Sequence, residues 1–94
     1  MLANPANSSV SRIAASVTAV TLAAANSIRV GLILYNDSTS DLYVKFGASA
    51  SITDFTYFLP AGGTMEALAG VSYIGEITGI WISATGAVQV TELT

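Results

Sequence analysis

Turn-forming residues divide this chain into short runs, and their spacing constrains the fold more than any other feature of the sequence. Runs of β-branched and aromatic residues alternate with clusters of Asn, Asp, Ser, Gly and Pro about every 8–12 residues. This spacing is typical of antiparallel sandwiches and barrels. We therefore predict an all-β fold: an antiparallel β-sandwich or jelly-roll-like barrel of about 7–8 short strands.

Three runs, SIRVGLILYN, LYVKF and TGAVQVTELT, alternate in hydrophobicity. Because successive residues of a strand point to opposite faces, this alternation predicts which side chains face the core. The first two runs are separated by the polar turn NDSTSD at 36–41, and we expect them to pair as a hairpin. A helix over part of 12–26 remains an alternative, since RIAAS and LAAAN flank the alternating SVTAVTL. The residues expected to point inward are Val30, Leu32, Leu34, Leu42, Val44, Phe46, Val88 and Val90.

The length of 94 residues corresponds to one domain. The start is rich in Ala, Asn, Pro and Ser and offers little to bury. We expect an N-terminal arm over residues 1–12, either flexible or lying on a partner, followed by a single β-sandwich domain over 13–94.

Charged residues make up 10% of the chain, against about 25% in an average soluble domain. A free monomer normally needs more surface charge, so we expect this chain to cover part of its surface by forming a homo-oligomer. A surface of Ser, Thr, Asn and Gly is the alternative.

The three cationic residues are far apart in sequence, which argues against binding of nucleic acid. The run VGLILY is too short to span a membrane.

The chain contains no His and no Cys. This excludes disulfides, the usual transition-metal ligands and the Ser–His and Cys–His catalytic arrangements, so we predict no enzyme activity, no metal and no cofactor. Three weaker candidates are a pair of carboxylates in a cleft, a calcium loop over Asn36–Asp41, and Lys45 as an amine nucleophile. A hydrogen-bonded turn and an outward-facing surface lysine are the simpler interpretations of the last two.

Aromatic residues could form a stacking platform for sugar rings, or they could pack in the core or between subunits. They are Tyr43, Phe55, Tyr57, Tyr73 and Trp81. If Ile80 and Ile82 face inward, Trp81 points outward to a neighbouring subunit; a bulge at Gly79 would instead turn it inward. The chain has three cationic residues and six carboxylates, so each cation has several possible partners. We expect Arg29 to pair with Glu92 or Glu66 at a strand crossing or subunit boundary. The interface residues expected are Arg29, Tyr43, Phe55, Tyr57 and Trp81.

Four segments of this sequence resemble small virion proteins of tailed bacteriophages, of the head-decoration or cement kind. They are IRVGLILYNDSTSDLYVKFG, DFTYFLPAGG, YIGEITGIWISATG and VQVTELT, and the resemblance covers roughly residues 16–94. The shared succession runs from a Thr- and Ala-rich lead strand through Arg-x-Gly, Tyr-Asn, Leu-Tyr-Val, Phe-Gly, a Pro/Ala-Gly turn, Gly-Ile-Trp and Ala-Thr-Gly to a closing Val-Thr-Glu.

The resemblance implies a β-sandwich that assembles with itself, often as a trimer, on the outer capsid surface and braces neighbouring copies of the major capsid protein. Its location would be the virion, after assembly in the bacterial host cytoplasm. The resemblance carries over no catalytic residue. A glycan- or receptor-binding module of a tail, neck or surface fibre is the alternative function.

Overall fold

The computed structural model describes residues 5–67 and 73–94. Within them it contains eight strands and no helix, so the helical alternative for 12–26 is wrong. Residues 1–4 of the expected arm lie outside the described residues, as do Leu68 and Ala69 of the short run expected at 64–69 and Ser72 of the strand expected at 72–84. The strands are β1 (Ser8–Ala14), β2 (Val20–Ala23), β3 (Gly31–Ser38), β4 (Leu42–Phe46), β5 (Tyr57–Leu59), β6 (Thr64–Ala67), β7 (Ile77–Trp81) and β8 (Gly86–Leu93).

The strands form two four-stranded antiparallel sheets, which confirms the predicted all-β sandwich. The first sheet has the order β1-β8-β3-β6 and the second β2-β7-β4-β5. The pairs β4–β5, β3–β6, β2–β7 and β1–β8 are nested in one another, as in a long hairpin that has been rolled up. Two further pairs, β3–β8 and β4–β7, complete the sheets, and this arrangement is a jelly roll.

The expected hairpin between the runs at 30–36 and 42–46 is wrong. β3 belongs to the first sheet and β4 to the second, so the chain crosses between the sheets at 39–41. The first half of the expected turn belongs to β3, and the chain bends at Thr39 and Ser40, where Ser38 Oγ donates to Asn36 Oδ1 over 2.7 Å and the Ser40 amide donates to Ser38 Oγ. A polar turn thus allows either a hairpin or a crossover, and pairing with distant strands decides between them.

The core lies between the sheets and follows the predicted alternation. Leu32, Leu34, Leu42, Val44, Val88 and Val90 are all almost fully buried, and Phe46 packs against them with part of its ring exposed. On the outer face of β3, Tyr35 is 41% exposed. The first-sheet edge strand β1 was not predicted; it begins at Ser8, so the expected boundary between arm and domain falls inside it.

Candidate interaction surface

The outer face of the second sheet carries a cluster of apolar side chains. Alternation in β4 places Tyr43 on this face, directly opposite Phe58 of β5 on one side and Ile80 of β7 on the other. The ring of Phe55 joins them from the segment before β5. We call Tyr43, Phe55, Phe58 and Ile80 the aromatic patch.

The three rings of the aromatic patch pack edge to face. The centroids of Tyr43 and Phe55 are 4.9 Å apart with an interplanar angle of 75°, and those of Tyr43 and Phe58 are 5.3 Å apart at 66°. Phe55 remains 40% exposed and Phe58 49% exposed. The patch is therefore ordered by its own ring contacts and still offers much apolar surface to solvent.

The loop between β4 and β5 brings Phe55 back over the sheet. Thr78 of β7 fixes one side of this loop, because its hydroxyl donates to the Gly47 carbonyl and accepts from the Ala50 amide. Ser51 and Asp54 exchange main-chain hydrogen bonds at the tip of the loop. The small residues of the sequence GASAS permit this close return of the chain.

Lys45 borders the aromatic patch on the same face. Its Nζ atom lies 2.6 Å from Asp54 Oδ2, and the two side chains are 25% and 65% exposed. The lysine thus forms a surface ion pair, as in the simpler of the two interpretations of this residue. The two opposite charges are in contact, so this pair adds no net charge beside the patch.

Comparisons with protein-family models, curated proteins and solved structures found no match to this chain. The phage resemblance given above therefore depends on the sequence segments alone. Within residues 5–67 and 73–94 there is no helix of the length and apolarity that crossing a membrane requires.

The prediction that Trp81 points outward is wrong: its side chain is 1% exposed, whereas Ile82 is 55% exposed. Trp81 lies directly opposite Leu42 in a regular β4–β7 register, so both face the core. Gly79 occupies the inward position between Ile77 and Trp81, and its missing side chain hides the apolar alternation of this strand. A Cβ there would lie 2.8 Å from Leu22 Cδ1. The register irregularity of this region is in β2.

Arg29 pairs with Glu92, one of the two partners predicted, with Nε 2.8 Å from Oε2. Its side chain is fully buried within one chain, so this structure places it in the interior and gives it no exposed surface for a subunit boundary. The guanidinium also donates to three main-chain carbonyls, those of Tyr73, Gly75 and Ala24, over 2.7, 3.1 and 2.7 Å. Arg29 therefore ties together two loops and the end of β8.

The five rings expected as a sugar platform do not lie together. Tyr43 and Phe55 share the aromatic patch, but Tyr57 packs against Phe46 on the other face of the sheet, with the two centroids 5.7 Å apart. Phe46 in turn stacks on Tyr73 at 5.0 Å, and Trp81 is buried. Of the expected interface residues, Tyr43, Phe55 and Tyr57 keep exposed or half-buried rings. Only Tyr43 and Phe55 belong to the aromatic patch.

Sequence reasoning did not include Phe58 and Ile80 among the interface residues. Both lie opposite Tyr43, and this relationship depends on the pairing register of three strands. The alternation of β5 alone would have placed Phe58 on the face opposite to Leu59. The sequence did not indicate that β5 pairs with β4 in the register that places Phe58 beside Tyr43.

The other candidate sites do not assemble in the described part of the chain. Asn36 points into the core, and Asp37 pairs with Arg12 at 2.8 Å, so the loop at 36–41 does not gather its oxygens around a cation. No group of three His, Cys, Asp or Glu side chains there could hold a metal ion. Three carboxylates, Asp37, Asp54 and Glu92, are each paired with a different cation.

Proposed function

We propose that this chain is a structural protein of a tailed-bacteriophage virion, where it assembles with itself and decorates and stabilises the capsid. Its partners are further copies of the chain and the major capsid protein on the outer capsid surface. Assembly takes place in the bacterial host cytoplasm. The role requires no catalytic step and no cofactor.

The aromatic patch is the observation that carries this proposal. Phe55 and Phe58 are each at least 40% exposed, and Ile82, just after the end of β7, is 55% exposed. A monomeric soluble protein rarely leaves contiguous rings open in this way, because exposed apolar patches promote association. Aromatic side chains are also enriched at the centres of protein interfaces. The patch thus has the chemistry of a protein contact surface.

The small number of charged residues also favours association through the aromatic patch. The chain has three Lys and Arg residues and six Asp and Glu residues, and all three cations are used in ion pairs within the chain. Few charges remain to keep apolar faces of different copies apart. A protein held in an assembly has less need for such charges.

The fold is compatible with the proposal without deciding it. Jelly rolls occur in viral capsid proteins and also in lectins, so the architecture serves both structural and binding roles. The sequence segments shared with decoration proteins favour the structural role. On a capsid, many copies bound side by side would stabilise the shell through avidity even if each contact were weak.

A glycan-binding module is the second candidate, since exposed rings can stack on sugars. In the aromatic patch the rings meet edge to face at 75° and 66°, so neighbouring rings do not present one flat platform. This geometry favours a protein partner. Glycan-array binding by the purified chain, reduced by Phe55→Ser, would support the glycan-binding role over decoration.

The decisive experiment measures the copy number of this chain in purified virions of the phage that encodes it. We expect a ratio to the major capsid protein near that of a surface lattice, and virions lacking the chain should lose DNA at a lower temperature. A few copies per virion, or none, would overturn the proposal.

A pair of matched variants connects the role to the aromatic patch. Phe55→Ser combined with Phe58→Ser should leave the fold intact and reduce binding to capsids lacking the protein by at least about tenfold, as loss of interface anchors does. The control combines Ile28→Ser with Ile74→Ser, which removes two apolar side chains elsewhere that are at least as exposed, at 67% and 49%. Equal capsid binding by the two double variants would show that the aromatic patch is not the capsid-binding surface.

A further inference from the structure

The four edge strands of the two sheets differ in how well they are protected against pairing with another strand. β5 has three residues and is followed by Pro60, β2 has four with an irregular register, and β6 has four among the residues described up to Ala67. Short strands, prolines and bulges are the usual means of blocking an edge. β1 has seven residues, no proline and an unbroken register with β8 from Ser8 to Ala14.

Hydrogen bonds at both ends of β1 show which of its main-chain groups face away from β8. The Ala15 amide donates to the Gly86 carbonyl over 3.0 Å, and the Thr94 amide donates to the Asn7 carbonyl over 2.9 Å. Both pairs follow the register of β1 with β8, so the odd-numbered residues of the strand bond to β8. The N–H and C=O groups of the even-numbered residues, Ser8, Val10, Arg12 and Ala14, point to the open edge.

The side chains of β1 do not guard this edge. Arg12 is the one charged residue of the strand, and its Nη1 reaches back across the sheet to Gln89 and Asp37, over 2.9 and 2.8 Å. Val10 is 63% exposed, and the strand as a whole is exposed except for a half-buried Ile13. Within the part of the chain that the structure describes, both the main-chain edge of β1 and the side chains of β1 are therefore accessible.

We propose that two copies of this chain pair through β1 about a two-fold axis, and that their first sheets join into one continuous eight-stranded sheet. The second copy is the occupant because β1 is complementary to itself. When Ser11 lies opposite Ser11 of the other copy, the whole strand from Ser8 to Ala14 is paired. The even-numbered residues then face each other and satisfy the open main-chain groups of both copies.

The side chains fit this register. Val10 lies opposite Arg12 of the second copy, so the aliphatic part of the arginine covers an exposed valine. A register centred on Arg12 would instead place two like charges directly opposite each other, which disfavours it. Contact of one patch with the same patch requires a two-fold axis, so this pair differs from the trimer that the phage resemblance implies.

A single cysteine tests both the contact and its register in this cysteine-free chain. In the proposed pair, Ser11 faces Ser11 in a non-hydrogen-bonded position with Cα atoms about 4.5 Å apart, within the range of a disulfide. Ser9 lies about 13 Å from Ser9 of the second copy, at about 3.3 Å per residue. Under mild oxidation, Ser11→Cys should form a covalent dimer and the control Ser9→Cys should not. No cross-link, cross-linking of both variants, or cross-linking of Ser9→Cys alone would overturn the proposal.

Sedimentation gives a second readout that does not depend on disulfide formation. The unmodified chain should sediment as a dimer at micromolar concentration. Val10→Lys places a second positive charge opposite Arg12 and should raise the dimer dissociation constant at least tenfold, whereas Thr64→Lys adds the same charge at the far edge β6 and should leave it unchanged. A monomer or a trimer of the unmodified chain, or equal effects of the two lysines, would contradict the pairing. These results do not depend on whether the chain occurs in virions, so they are independent of the proposed function.

Discussion

The indole Nε1 of Trp81 donates a hydrogen bond to Oδ1 of Asn36 across 3.2 Å, and both side chains are almost completely buried. The Asn36 amide nitrogen in turn donates to the carbonyls of Ser40, Leu59 and Pro60. One polar side chain in the core thus joins β7 to the crossover after β3 and to the end of β5. Five groups form hydrogen bonds with it: the Trp81 indole, the Ser38 hydroxyl and these three carbonyls.

Asn36→Ala should lower the free energy of unfolding by about 3 kcal/mol, because buried donors and acceptors would lose their partner. Urea unfolding followed by tryptophan fluorescence measures this loss. Asn7→Ala, at an exposed position, is the control and should change stability by less than about 0.5 kcal/mol. Similar midpoints for the two variants would show that the Asn36 network contributes little.

Trp81→Ala should destabilise the fold by about 3–5 kcal/mol, because it removes a large buried side chain from the core. The neighbouring Ile82→Ala removes an exposed side chain and should cost less than about 0.5 kcal/mol. Thermal unfolding by circular dichroism compares the two variants. If Ile82→Ala were the more harmful change, the inward placement of Trp81 would be wrong.

Arg29→Ala should lower the free energy of unfolding by about 3 kcal/mol, since it leaves Glu92 and three carbonyls, all in partly buried contacts, without the arginine as their partner. Arg12→Ala removes the same charge from an exposed ion pair with Asp37 and should cost at most about 1 kcal/mol. Denaturant titration of both variants checks the difference. Equal losses would mean that burial does not distinguish the two arginines.

Gly86→Ala should be more destabilising than Gly62→Ala, although both glycines have a positive φ, of 90° and 74°. A Cβ at Gly62 meets open space, whereas one at Gly86 would lie 2.5 Å from the Asp37 carbonyl oxygen and 2.7 Å from Ser38 Cα. We expect a cost of about 1 kcal/mol for backbone strain at Gly62 and about 1–3 kcal/mol more at Gly86. Melting temperatures within one degree of each other would contradict this.

Local patterns in the sequence predicted the inner faces of the sandwich well. Leu32 and Leu34 alternate with Ile33 and Tyr35, and Leu42 and Val44 alternate with Tyr43 and Lys45, so a two-residue period determines their direction. The pairing of Arg29 with a carboxylate was also predictable, because the chain has three cations for six carboxylates, but Glu92 and Glu66 both remained candidates.

The pairing of strands was not predictable from local patterns. The crossover after β3 and a hairpin turn have the same polar composition, and the difference arises from partners more than 25 residues away, such as Asn36 opposite Val88. β1 was missed because its serines show no apolar alternation, and its place depends on main-chain bonding to β8. Trp81 was misplaced because Gly79 occupies an inward position without a side chain.

The nested pairing of the strands also sets the order in which the chain can fold during synthesis. β8 lies between β1 and β3 in the first sheet, yet it is the last strand to be made. Until Gly86–Leu93 has left the ribosome, β1 has no partner and one side of β3 is open. The edge of β3 and the whole of β1 therefore stay unpaired until β8 has been synthesised, and completion of the first sheet follows translation of β8.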